Sequence, residues 1–212
     1  MKRNIECTLC RGRAEFYCRC QEKSYFRCAN CRSVMMDPAD HLPADDEKTR
    51  YDHHHNDVND PGYRKFVKPL VDQVRLKFGP EAKGLDYGAG PGPVAAELLK
   101  EEGYNVTLYD PFYWPDSTVL NGKYNYIICS EVIEHFRLPA GEFCRLRLML
   151  EPNGSLFCMT EILSDQLDFT GWYYKNDPTH VFFYHRRAFD WIKESCGFSR
   201  LTILGRLIHF ER

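Results

Sequence analysis

The sequence predicts an α/β domain with a small cysteine-closed segment ahead of it. Three observations carry that expectation. The run KGLDYGAGPGPVAAELLKEEGYNVTLYD reads as strand, glycine turn, helix and strand, which is the βαβ unit of a parallel sheet. Two C-x2-C pairs near the start have the spacing of a metal-closed ribbon. The 212 residues, 43% hydrophobic and 27% charged with a formal charge of -2, suffice for one full core plus an appendage. That balance excludes a strongly basic nucleic-acid binder and leaves any basic surface local.

The cysteine segment spans residues 1–40. Six of the ten cysteines lie in the first 31 residues, and without an apolar leader or a run of about 18 apolar residues the chain is expected in the cytoplasm, away from membranes. In that reducing compartment the cysteines are expected as thiols or metal ligands, not disulfides. Cys7 with Cys10 and Cys28 with Cys31 form two knuckles, and the spacer between them falls in the roughly 15–20 residue range of a zinc ribbon. Four thiolates satisfy tetrahedral Zn2+ and leave no open position, so the expected role is structural. AEFYCRC, QEKS and YFRC read as strand, turn and strand between the knuckles. Cys18 and Cys20 alternate on one strand face, either as small buried hydrophobes or as substitute ligands at the same site or ligands of a second metal. Lys2, Arg3, Arg11, Arg13, Arg19, Lys23, Arg27 and Arg32 outnumber Glu6, Glu15 and Glu22, giving either a solvated face or an RNA-docking surface.

Residues 41–80 read as a linker followed by a helix. The first part is acidic and contains Pro43 and Pro61. Its His53, His54 and His55 are adjacent, and adjacent residues on a helix do not share a face. The stretch GYRKFVKPLVDQVRLKF has apolar residues Phe66, Leu70, Val71, Val74 and Phe78 near helical spacing, so it is expected to pack beside the main domain.

The main domain is expected over residues 81–212. A dinucleotide fingerprint needs Gly or Ala where this chain has Pro93, so a pyrophosphate ligand and a nicotinamide oxidoreductase are disfavoured. The pattern Asp86-x-Gly88-x-Gly90-x-Gly92 instead resembles motif I of class I S-adenosylmethionine-dependent methyltransferases. YNYIICSEVIEHF resembles that family's fourth strand and following segment. LRLMLEPNGSLFCMT resembles its helix, turn and fifth strand, and RLTILGRLIHF its terminal hairpin. RRAFDWIKESCGF reads as a helix ended by Gly197.

The resemblance implies a Rossmann-like seven-stranded methyltransferase sheet with an abbreviated middle region, because Pro111–Lys123 is too short for the usual helix and third strand. It also implies that S-adenosyl-L-methionine is held by Asp86, Tyr87, Gly88, Ala89, Gly90, Gly92, Asp110, Pro111, Phe112, Ser130 and Glu131, with Asp110 on the ribose hydroxyls. Phe112, Tyr113 and Trp114 either stack on the purine, with Asp116 near its amino group, or cover the shortened sheet edge.

For chemistry, His180 is the candidate base, with Glu131 and His135 beside it and His185 a weaker choice. Glu131, Glu134 and His135 have the i, i+3, i+4 spacing of one helical face. With His180 they are similar to the set that holds a divalent cation, Mg2+ or Mn2+, in ubiquinone-pathway O-methyltransferases and small-RNA 2′-O-methyltransferases. Relatives with the same motif need no metal. Trp172, Tyr173 and Tyr174 either wall the acceptor or belong to the core. The expected activity is methyl transfer to oxygen or carbon of a small molecule. The alternatives are an RNA methyltransferase docking through the ribbon, or a ribbon-bearing binding module with a degenerate domain.

Overall fold

The computed structural model describes residues 4–53 and 57–212; Lys2, Arg3, His54 and His55 lie outside them. In chain order the strands and helices begin with β1 (Asn4–Glu6), β2 (Arg13–Cys20), β3 (Lys23–Cys28), β4 (Val34–Met36), α1 (Ala44–Asp52), α2 (Pro61–Lys77), β5 (Lys83–Tyr87) and α3 (Val94–Lys100). They continue with β6 (Asn105–Tyr109), β7 (Tyr124–Ser130), α4 (Pro139–Met149), β8 (Leu150–Met159), β9 (Phe182–Phe183), α5 (Arg186–Cys196), β10 (Arg200–Leu204) and β11 (Leu207–Glu211).

Two sheets organise these elements. The larger has six strands in the order β10-β11-β8-β7-β5-β6, with β5 parallel to β6 and β7, β8 parallel to β7, and β11 antiparallel to β8 and β10. Six strands replace the expected seven. After Asp110 the chain makes a bridge to Trp114 and a 3-10 turn at Ser117–Asn121, which leaves β6 as the edge.

The smaller sheet has the order β1-β2-β3-β4-β9, so the cysteine hairpin is extended by a strand from beyond residue 180. Cys7, Leu9, Phe26, Cys31 and Met35 share one core with Leu85, Ile127 and Phe210. The ribbon's interior is thus continuous with one face of the parallel sheet.

On the opposite face lies α2. Asp60 caps it by accepting the Tyr63 N–H, Pro61 opens it, and Val67, Leu70, Val71 and Val74 recur at i, i+3, i+4 and i+7 as its buried stripe. Pro69 inside the helix costs about 3 kcal/mol. Burial of four aliphatic side chains, each worth about 1.5–3 kcal/mol, offsets it.

One cysteine expectation is corrected. Cys144 on α4 and Cys196 on α5 form a disulfide, with Cα atoms 5.0 Å apart. The two helices pack side by side, which brings residues distant in sequence within bridging distance.

Among the described residues no helix is long and apolar enough to cross a membrane.

Candidate active site

The carboxyl ends of β5, β6 and β7 meet at one cavity of about 870 Å3, the place where open parallel sheets bind ligands. Each strand delivers one part of its floor. β5 ends in Tyr87 and runs into Gly88, whose φ of +81° and closeness to Val132, 2.6 Å from an added Cβ, make any side chain there strained. β6 delivers Asp110, and β7 delivers Ser130 and Glu131.

The Asp110 carboxylate is fixed by three backbone donors: Gly90 N–H to Oδ2 at 3.0 Å, and Phe112 and Tyr113 N–H to Oδ1 at 2.8 and 3.1 Å. Oδ2 takes only one of these bonds, so it retains capacity for a hydroxyl donor. Trp114 donates its indole N–H to the Gly90 carbonyl at 2.9 Å, bracing the same turn. Asp86 lies beneath at 4% exposure, and burial pushes its carboxyl up to about 7.

Opposite stands a polar and aromatic wall. Glu131 adopts φ +54° just after β7 and receives Arg206 Nη2 at 2.5 Å; its buried Oε1 has no hydrogen-bond partner among the described residues. Glu134 is fully buried, accepting Thr160 Oγ1 at 3.0 Å and the Tyr174 hydroxyl. Tyr174 is also 3.3 Å from Glu131 Oε2. One phenolic proton faces two carboxylates, so the group holds together best when a carboxyl brings a proton of its own. Burial accordingly pushes Glu131 up to about 8, aided by Glu134 and opposed by Arg206, and burial pushes Glu134 up to about 7.

His180 donates from Nδ1 to the Tyr174 carbonyl at 2.6 Å, which leaves the lone pair on Nε2. That Nε2 lies 4.0 Å from Glu134 Oε1. The His135 ring is 4.8 Å from that of His180, and burial lowers its basicity. Its Nδ1 is 3.0 Å from the Thr179 carbonyl and 3.1 Å from the Tyr51 hydroxyl.

Asp86, Tyr87, Gly88, Ala89, Gly90, Gly92, Asp110, Pro111, Phe112, Ser130 and Glu131, expected at the cofactor, line this cavity together with His135 and His180, whereas Trp114 and Glu134 are outside its lining. The single helical face expected for Glu131, Glu134 and His135 is absent. Only Ile133–His135 form a 3-10 turn, and Glu131 precedes it with its carboxylate on Arg206. The group with ligand atoms within 4.8 Å is Glu134, His135 and His180.

Phe112 and Tyr113 face the cavity, whereas Asp116 does not, because it caps the turn at Thr118 through 2.9 Å and 2.6 Å bonds. Trp172 and Tyr174 both belong to the core, and Tyr174 together with Tyr173 also lines the cavity. His185 caps α5 through a 3.1 Å bond from Arg187 N–H and stays outside.

Sequence reasoning missed α1, which roofs the cavity through Glu47, Arg50 and Tyr51. Its signals were Pro43 followed by Asp45, Asp46 and Glu47 in the first turn.

The four ribbon cysteines form a second centre. Its knuckles match bond for bond: Cys7 N–H reaches Gly12 O and Cys28 N–H reaches Ser33 O, each at 2.9 Å, and Arg11 and Arg32 turn at φ +57° and +65°. The Sγ atoms of Cys7 and Cys31 are 3.7 Å apart and those of Cys10 and Cys28 3.4 Å, near the roughly 3.8 Å edge of a tetrahedron with Zn–S of about 2.3 Å. A Cβ at Gly12 would lie 3.2 and 3.3 Å from two of these sulfurs. Hydrogen bonds from Cys31 and Cys7 pull the Cys28 thiol down to about 2, while hydrogen bonding with Cys28 and Cys31, followed by burial, pushes the Cys7 thiol up. Cys18 and Cys20 stand apart, half-buried, with sulfurs 3.9 Å from each other.

The methyltransferase domain family model matches residues 29–203. The chain belongs to that family. This methyltransferase domain is 28% identical over 95 residues to a ubiquinone biosynthesis O-methyltransferase of Histophilus somni, a match covering 43% of the chain and 40% of that relative. It superposes with a TM-score of 0.54 and 13% identity on a 1,6-didemethyltoxoflavin-N1-methyltransferase of Burkholderia thailandensis solved with 1,6-didemethyltoxoflavin and S-adenosylhomocysteine, covering 93% of this chain and 98% of that one. An O-methyltransferase family protein from the same organism gives a TM-score of 0.54 at 14% identity, over 78% of this chain and 61% of that one. At such identities the structural likeness speaks for the fold, which is the α/β class I methyltransferase fold.

Proposed function

We propose that the chain transfers a methyl group from S-adenosylmethionine to an oxygen or carbon of a small-molecule acceptor. The observation that carries this reading is the single cavity running from the glycine turn and Asp110 to Tyr174 and His180. Its volume of about 870 Å3 lies in the upper range of small-molecule sites, enough for a cofactor and an acceptor together.

S-adenosylmethionine supplies an electrophilic sulfonium methyl. The chain's own residues bind and orient: Gly88 and Gly90 let the backbone approach the methionine portion, Asp110 Oδ2 accepts ribose hydroxyls, and Ser130 and Glu131 border the reacting end. On the acceptor side, His180 Nε2 takes the proton lost by a hydroxyl nucleophile, and the Tyr174 carbonyl holds the required tautomer. Tyr51, Tyr173 and Tyr174 exclude water around a flat acceptor, so that positioning supplies much of the acceleration. The small-molecule reading draws on what the two matched enzymes are named for, ubiquinone biosynthesis and toxoflavin methylation.

The four ribbon thiols hold a structural zinc in this account. The matched knuckles and sulfur spacing support it. Elemental analysis of the purified chain tests it; zinc that persists when Cys7 and Cys28 are both serine speaks against it.

A second reading of the acceptor wall rests on Glu134, His135 and His180 as a divalent-cation site. One carboxylate and two imidazoles favour Mn2+ over Mg2+, since Mg2+ prefers oxygen donors. Activity unchanged after dialysis against chelator, with zinc retained in the ribbon, excludes it.

Cofactor binding is tested by titrating S-adenosylhomocysteine into the chain and into Asp110→Ala. Equal affinity for both defeats the assignment.

A further inference from the structure

The cysteine centre and the acceptor wall touch through one short strand. β9 contains only Phe182 and Phe183, and its partner in the sheet is β4, with Val34 opposite Phe183 and Met35 opposite Phe182. β4 begins three residues after Cys31. Two buried residues cannot hold an extended backbone by themselves, because their peptide groups need partners and a pair of residues is far below the length of a stable strand.

Val181, next to His180, is clamped from both sides. Its carbonyl accepts the Met36 N–H at 2.9 Å, from the cysteine module, and its N–H reaches the Glu134 carbonyl at 3.0 Å, from the segment after β7. Tyr184, on the far side of β9, donates its hydroxyl to the Ile133 carbonyl at 2.8 Å. The segment that carries His180 therefore lies between the Glu134 turn on one side and the end of β4 on the other.

Ser33 makes the connection to the metal knuckle explicit. It is fully buried; its carbonyl accepts the Cys28 N–H at 2.9 Å and its hydroxyl accepts the His185 N–H at 3.1 Å. Asp165 adds an outer tie, accepting from Arg32 Nη2 at 2.6 Å and from Arg27, with His185 Nε2 at 3.8 Å. Lys23 Nζ donates to the Pro178 carbonyl at 3.3 Å. These exposed ties are individually weak; the backbone clamp and Ser33 are the strong ones. By contrast Gly88, Asp110 and Ser130 are carried by the ends of β5, β6 and β7 themselves.

We propose that metal held by Cys7, Cys10, Cys28 and Cys31 is a positioning device for the acceptor wall: its occupancy sets β4, β4 sets β9, and β9 sets His180 against Glu134. The inference rests on the metal reading above and adds that metal loss separates the two halves of the cavity, loosening the acceptor wall while the cofactor half stays formed.

Hydrogen exchange read by mass spectrometry on the full chain tests it, with zinc content and S-adenosylhomocysteine affinity measured on the same samples. After chelator strips the zinc, peptides covering 178–186 and 33–37 are expected to exchange at least about tenfold faster, peptides covering 84–92 and 105–110 to change less than about twofold, and affinity to change less than about threefold, a tenfold factor being about 1.4 kcal/mol in local opening. Re-addition of zinc restores the pattern. Unchanged exchange over 178–186 in zinc-free protein overturns the proposal, and so does equal loss over 84–92, which would make the metal a support of the whole fold. A chain that never binds zinc fails at the earlier step instead, and is recognised by its zinc content.

Ser33→Ala gives an independent arm, because it leaves all four thiols in place. Full zinc content with faster exchange over 181–185 supports the relay; full zinc content with unaltered exchange contradicts it.

Discussion

Gly90 donates its backbone N–H to Asp110 Oδ2 at 3.0 Å, joining the turn after β5 to the end of β6. The carboxylate proposed to hold the ribose thus also holds the loop proposed to hold the methionine portion. Asp110→Ala removes both at once. A hydrogen bond to a charged group contributes about 1.5–3 kcal/mol, so cofactor affinity should fall by about tenfold or more, with Asp110→Asn intermediate. Calorimetric titration with S-adenosylhomocysteine measures it.

Gly88 and Gly90 both turn at positive φ but differ in surroundings. An added Cβ at Gly88 meets Val132 at 2.6 Å, whereas one at Gly90 meets nothing within 4 Å. Both substitutions by alanine carry about 1–2 kcal/mol of backbone strain, and only the first adds overlap. Gly88→Ala should lower the melting temperature more than Gly90→Ala; the reverse order would contradict the geometry.

His180→Asn should lower kcat by about 10^2- to 10^4-fold for a hydroxyl acceptor while leaving S-adenosylhomocysteine affinity within a few-fold. A change confined to cofactor affinity would place His180 outside the proton path.

Burial pushes the Glu131 carboxyl up to about 8 and the Glu134 carboxyl up to about 7, against an ordinary value of 4.5. Between those values the folded state holds protons that the unfolded state has lost. Their contribution is full below the ordinary value and is lost as pH rises through the folded values. The melting temperature of the ligand-free chain should therefore fall from about pH 6 to about pH 8, and Glu134→Gln should flatten that slope. A rise over the same range would show that the two carboxyls are ionised without penalty.

How far the sequence was legible follows from how local each feature is. Asp86, Gly88, Gly90 and Asp110 sit at strand ends within one βαβ unit, so spacing alone locates them. The thiol quartet is two copies of one local knuckle and reads the same way. The acceptor wall is assembled from α1, the turn after β7 and the loop ahead of β9, and no single spacing encodes it. α1 has no buried residue, so hydrophobic periodicity cannot reveal it; Lys48–Asp52 and its acidic first turn hold it instead. The helical-face reading of Glu131 failed because that residue turns at φ +54°, a conformation that spacing does not report. Cys144 and Cys196 meet only because α4 and α5 pack together.

Methyl transfer to a small molecule is tested most directly by incubating the protein with methyl-labelled S-adenosylmethionine and fractionated cell extract. Label appearing in the small-molecule fraction, and absent when Asp110→Ala replaces the parent chain, is the predicted result. Label found only in RNA or protein, or transfer unaffected by Asp110→Ala, would contradict it.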